Sequence, residues 1–106
     1  MPSQRQAIHA PSAPKPNGNY SHVVREGNTL HVAGWMGDDP TTGDIVPGGI
    51  EPQTHRAILN IKTCLLAANS SLDKVVRRRI YIMHMSDFRR VDEIWAEYFE
   101  APFPVR

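Results

Sequence analysis

Residues 21–33 read Ser21-His22-Val23-Val24-Arg25-Glu26-Gly27-Asn28-Thr29-Leu30-His31-Val32-Ala33. Val23, Val24, Leu30 and Val32 flank Gly27-Asn28, a two-residue loop suited to a primed turn, so the stretch predicts a β-hairpin. In that register Val24 faces His31 and His22 faces Ala33, and these four side chains share one face. Gly34 and Gly37 follow and allow close backbone approach. Asp38-Asp39-Pro40-Thr41-Thr42-Gly43 is turn chemistry throughout.

Further out, Gly48-Gly49, Pro52 and Asn69 bracket a helix from about Ile50 to Ala68. Its apolar stripe is Thr54, Ala57, Ile58, Ile61, Leu65 and Ala68. Val75–Met83, rich in β-branched and aromatic residues, predicts a strand. Ser86 is expected to cap a second helix, Asp87–Phe99, which buries Phe88, Val91, Trp95, Tyr98 and Phe99. Pro102 and Pro104 bound an extended exit, and Met1–Asn17 reads as an edge strand or extended arm. Strand, hairpin, helix, strand, helix and the start of a strand make an α+β layer, with two helices on one face of a sheet. The Val75 strand is apolar on both sides: Val76, Ile80 and Ile82 on one, Val75, Tyr81 and Met83 on the other. One side meets the helices; the other needs a cover, most simply a second copy of the chain.

The 106 residues form a single domain, long enough for a modest core. A net charge of +1 points to neither nucleic acid nor an acidic membrane. The single cysteine, Cys64, leaves no internal disulfide and fits a reducing compartment. No apolar run approaches the ~20 residues that cross a bilayer. The N-terminus lacks acidic residues, as transit peptides do. Pro2, Pro11, Pro14 and Pro16 break the amphipathic helix such a peptide needs, so the expected location is cytoplasmic rather than mitochondrial.

Several residues invite chemistry. Arg106, after Pro102 and Pro104, carries a planar fork that can grip a carboxylate bidentately. His22 and His31 could lie diagonally across the hairpin, but no third ligand stands at metal-binding spacing, which favours packing. Asp38, Asp39 and Asp44 match no calcium loop. Arg77-Arg78-Arg79 would alternate between two faces of a strand and form no single nucleic-acid patch. Cys64, beside Ile61 and Leu65, reads as a small buried hydrophobe.

The chain resembles the reactive-intermediate deaminase (Rid/YjgF) family, also called L-PSP endoribonuclease-like. The matching stretches include Ala13-Pro14 with Gly18-Asn19-Tyr20-Ser21, Gly27-Asn28-Thr29-Leu30, Asp39-Pro40-Thr41-Thr42-Gly43, and Val46-Pro47-Gly48-Gly49-Ile50. They continue through Ala67-Ala68-Asn69-Ser70-Ser71-Leu72-Asp73, Met85-Ser86-Asp87-Phe88, Tyr98-Phe99 and Phe103-Pro104-Val105-Arg106. No single stretch is specific; their order over nearly the whole chain is. The resemblance implies a chorismate-mutase-like α+β domain with a mixed sheet, assembled as a homotrimer, with a cleft between subunits and neither metal nor organic cofactor. It implies hydrolysis of 2-imino acids or their enamine tautomers to 2-oxo acids and ammonia. Arg106 matches the arginine that holds the substrate carboxylate, Tyr20 matches a cleft tyrosine, and Gly34 matches the glycine of the wall strand. Backbone groups near Gly34 and around Val105 are candidates for orienting the water.

The sequence departs from the family in three places. Ala33-Gly34-Trp35 replaces Ser-Gly-Gln, removing a hydroxyl from the wall and placing Trp35 where it could narrow the ligand site. Asp92 stands where asparagine is common. The family continues past the matching arginine, with a cysteine and a glutamate thought to activate the water, so the domain is expected to be C-terminally short and its activity impaired. The alternative expectations are a non-catalytic small-acid binding protein of the same fold and, more weakly, RNA binding or endoribonuclease action.

Overall fold

The computed structural model describes residues 5–106. Three strands, β1 (Arg5–Ile8), β2 (Val23–Glu26) and β3 (Thr29–Val32), form an antiparallel sheet in the order β1-β2-β3. Two helices, α1 (Ile50–Ala67) and α2 (Phe88–Trp95), complete an α+β fold. The hairpin has the expected register, with Val24 opposite His31. Gly27 supplies the positive φ (58°) of the turn. The Ala33 amide donates to the His22 carbonyl at 3.1 Å and extends the pairing by one step. β1 pairs with β2 as an edge strand; residues 1–4 of the predicted arm lie outside the described residues.

Two apolar clusters hold the layers together. Ala10, Ala13, Val23, Cys64 and Ala68 join the arm, the sheet and one side of α1. Ile58, Ile94, Trp95 and Phe99 join α1 to α2, with Val75 and Tyr98 packed alongside. The Tyr98 hydroxyl meets His55 Nδ1 at 2.7 Å and ties the helices together.

His22 is buried between the arm and the sheet, where its ring links them. Its Nδ1 accepts from the Ala10 amide at 3.1 Å, and Nε2 lies 2.9 Å from the Pro14 carbonyl. The tautomer protonated on Nε2 satisfies both bonds.

α1 ends as Asn69 predicts. Asn69 adopts φ 60°, the Ser70 amide donates to Leu65 O at 2.8 Å, and the Asn69 amide donates to Leu66 O at 3.1 Å. That pair of bonds is a Schellman cap. Arg25 of β2 adds a charged donor, its Nη2 lying 2.9 Å from Ala68 O, where the helix dipole favours a cation.

Gly37 does allow close approach: a Cβ there would sit 2.6 Å from Gln53 O. Asn60, buried on α1, donates Nδ2 to Met36 O at 3.1 Å and Asp38 O at 3.0 Å, and its Oδ1 accepts from Arg56 Nε at 3.1 Å. Together they press the 36–38 loop onto the helix. The apolar stripe drawn from periodicity omits Asn60, because a buried amide with three good partners is indistinguishable in sequence from an exposed one.

Three expectations are corrected. The strand over Val75–Met83 does not form a ladder. Its pairing is one parallel bridge, Arg77 to Val105, in which the Arg78 amide donates to Val105 O and the Val105 amide to Val76 O. β propensity describes a residue that fits a paired, half-buried surface, and no described strand flanks this segment. Tyr81 and Met83 are accordingly 84% and 93% exposed. Ser86 does not cap α2: residues Met85–Asp87 close a 3₁₀ turn instead, and no side chain caps the helix. Phe88 is 40% exposed rather than core, and Ile94 takes the buried place.

Cys64 is buried as expected, and burial pushes its thiol up to about 11, with the nearby Trp35 N–H only partly opposing. We expect no reaction with a disulfide reagent at pH 8 in the native protein, where on the order of one thiol in a thousand is ionised and none is reachable, and full reaction in denaturant. Rapid native labelling would contradict this burial.

Candidate functional site

The bridge between Arg77 and Val105 places the chain end beside the 76–82 segment and over the start of α2. Arg106, one residue further on, stacks its guanidinium 4.7 Å above the centroid of the Phe88 ring. The contact is a cation–π pair that gives the half-exposed Phe88 ring a partner at the surface.

Two adjoining grooves open there, of about 290 and 440 Å³. The first has an apolar floor of Ile80, Ile82, Phe88 and Val91, with Arg79 and Arg106 among its charged residues. The second shares Arg78, Asp92 and Arg106 with the first and adds Trp95, Phe103 and Pro104. Apolar walls with a few convergent charged groups are what a small organic acid requires.

Arg78 lies in the wall of both grooves, with only 10% of its side chain exposed. Its Nη2 donates to Asp92 Oδ1 at 3.1 Å, and its guanidinium carbon stands 4.6 Å over the Trp95 ring. Trp95 in turn stacks on Phe99, with centroids 4.7 Å apart. Arg78 Nε, Arg78 Nη1 and Trp95 Nε1 are all buried without an acceptor. Burying an N–H without a partner costs free energy, so three in one place call for an explanation.

The other expected site residues lie elsewhere in the single chain. Tyr20 is exposed; its hydroxyl donates to Asn17 Oδ1 at 3.0 Å and accepts from the Asn17 amide at 3.3 Å. It lines neither groove. Ala33 continues the hairpin pairing, and Gly34 has open space where a Cβ would stand. Trp35 turns inward, stacks on His22 with centroids 5.5 Å apart, and packs against the Cys64 cluster. It therefore serves the core on this chain. Val105 has its amide and carbonyl both engaged in the bridge, which makes its backbone a poor holder of water.

The basic triplet is divided: Arg78 packs inward, while Arg77 and Arg79 are exposed. Asp39 Oδ1 accepts from the Thr41 amide at 2.7 Å and the Thr42 amide at 3.3 Å, so this carboxylate builds the turn. Among the described residues no three His, Cys, Asp or Glu side chains are placed to hold a metal ion, and no helix is long and apolar enough to cross a membrane.

Sequence reasoning missed Arg78 as a site residue. The signal was present: Arg78 interrupts the alternation of Val76, Ile80 and Ile82 on the apolar side. A charge on such a face needs a partner, and Asp92, one helical turn after Phe88, supplies it.

Residues 10–106 match the family model described as Endoribonuclease L-PSP. A RutC family protein of Pyrococcus horikoshii is 42% identical over 102 residues, which cover 96% of this chain and 81% of that protein. The 2-iminobutanoate/2-iminopropanoate deaminase of Dermatophagoides farinae is 34% identical over 104 residues, covering 98% of this chain and 81% of the relative. Among solved structures, the E. coli protein TdcF with bound serine superposes with a TM-score of 0.87 at 25% identity, covering 95% of this chain and 81% of that one. The chain belongs to the Rid/YjgF family, the endoribonuclease L-PSP-like proteins, whose members include proteins named as imino-acid deaminases.

Proposed function

We propose that the chain hydrolyses small 2-imino acids, or the enamines in equilibrium with them, to 2-oxo acids and ammonia. The observation that carries this reading is Arg106: a guanidinium held against Phe88 at the edge of an apolar groove sized for a small acid. A relative named for this reaction, 34% identical over nearly the whole chain, supports it. A bound serine on a structural neighbour is in keeping with a ligand of this size and charge.

In this mechanism Arg106 binds the carboxylate of the substrate through paired N–H bonds. That fixes the adjacent C2 and leaves one face of the imine open to water. Water adds to the protonated imine carbon, the carbinolamine transfers a proton to nitrogen, and ammonia leaves as the carbonyl forms. Because a protonated imine is already electrophilic, the protein supplies orientation and proton transfer rather than a nucleophile. Tyr20 enters the site from a neighbouring copy in a homotrimer. The exposed Val76, Tyr81 and Met83 supply apolar surface for such an assembly.

The test couples an amino-acid oxidase, which makes the imine in place, to detection of free ammonia and trapped imine. Faster loss of trapped imine with the protein present supports hydrolysis; an unchanged rate opposes it. A second reading, binding of a small acid without turnover, is favoured by Ala33, which leaves the wall strand without a hydroxyl. A thermal shift with a 2-oxo acid and no acceleration of ammonia release would select it.

A further inference from the structure

The three unpartnered donors beside the grooves point to a second group of negative charge. We infer that Arg78, supported by Trp95, holds the distal carboxylate of a dicarboxylic ligand whose first carboxylate is held by Arg106. The natural ligand class is then a four- or five-carbon 2-imino or 2-oxo dicarboxylate rather than a simple monocarboxylate. The inference deepens the proposed function and rests on it for the role of Arg106.

Four observations on the same residues carry it. Arg78 is a nearly buried guanidinium in the wall of both grooves, and Arg106 borders both as well. Of the Arg78 nitrogens, Nη2 is satisfied by Asp92, while Nε and Nη1 have no acceptor. Trp95 stands in the wall of the larger groove, and its buried Nε1 is a third donor without an acceptor. Finally, the charged side chains lining the smaller groove are Arg78, Arg79 and Arg106 against Asp92 alone. Beyond the Arg78–Asp92 pair, Arg79 and Arg106 leave two positive charges around the groove uncompensated, which a dianion neutralises and a monoanion does not.

Asp92 does not annul the site. It is half exposed and takes one of the three nitrogens, so it orients the guanidinium while Nε and Nη1 stay buried and unpaired, and a ligand that reached them would relieve that cost. Stacking on Trp95 holds the fork in place without consuming an N–H. An entering carboxylate would then trade its hydration for charge-assisted bonds in a partly desolvated wall, where such bonds are strong.

The test is calorimetric titration of the whole chain with 2-oxoglutarate and with 2-oxobutanoate, at one low ionic strength. The expected result is a Kd at least about tenfold lower for 2-oxoglutarate, as one added charge-assisted contact provides. Arg78→Met, which keeps a long side chain over Trp95, should bring the two Kd values within about twofold of each other. Trp95→Phe, which keeps the stack and removes the N–H, should narrow the ratio part of the way. Circular dichroism of each variant reports folding, and if Arg78→Met does not fold, Trp95→Phe decides the matter. Equal affinity of the unaltered protein for the two acids overturns the inference while leaving the deaminase reading standing. An unchanged ratio in folded Arg78→Met, or in Trp95→Phe if that variant must decide, also overturns it. Failure of both acids to bind overturns the inference and the Arg106 anchor together.

Discussion

Replacing Arg106 by Gln is expected to lower kcat/KM for imine hydrolysis by about 100-fold, while leaving the melting temperature within a few degrees. Two charge-assisted bonds to a carboxylate are together worth roughly 3 kcal/mol, and each 1.4 kcal/mol is about tenfold in rate. Stability should hold because Arg106 is exposed and touches the fold through the Phe88 ring. Arg106→Lys keeps the charge but loses the paired geometry, so it should recover only part of the deficit. The affinity for 2-oxobutanoate should fall in parallel, which makes the test independent of turnover. A Gln variant within threefold of the unaltered protein in both measurements would remove Arg106 from the site.

The second large effect concerns stability. Asn60→Leu should destabilise the fold by about 2–4 kcal/mol, because it removes a fully buried amide and with it the donor to the Met36 and Asp38 carbonyls and the acceptor for Arg56. For a domain of this size that corresponds to a fall in Tm of roughly 10–25 °C. The loss is large beside a typical stability of about 5–15 kcal/mol. Differential scanning calorimetry reads it directly. A fall of under 3 °C would mean the 36–38 loop is held by something other than this amide.

Much of the architecture was legible because the sequence repeats itself at two periods. The hairpin announced its register through Gly27-Asn28 and alternating valines, and α1 announced its end through Asn69. The Val75–Met83 segment was misread because strand formation depends on neighbours that propensity does not see. For the site, Arg106 stood out by its proline-bounded setting, and the ordered resemblance suggested the role proposed for it. Arg78 escaped notice because it looked like one member of a surface triplet. Only packing shows that it turns inward onto Trp95. Tyr20 and Arg106 were expected at one site, and within one chain Tyr20 lines neither groove that Arg106 borders.

The His22 ring has a consequence for Tyr20. By grasping Ala10 on one nitrogen and Pro14 on the other, it buckles the proline-rich strap to the hairpin. Tyr20 stands between that clasp and β2, with its hydroxyl folded back onto Asn17. Loosening the buckle would slacken the whole span from Ala10 to Ser21 at once, so the stiffness with which Tyr20 is held on its strap is set in part by the His22 imidazole.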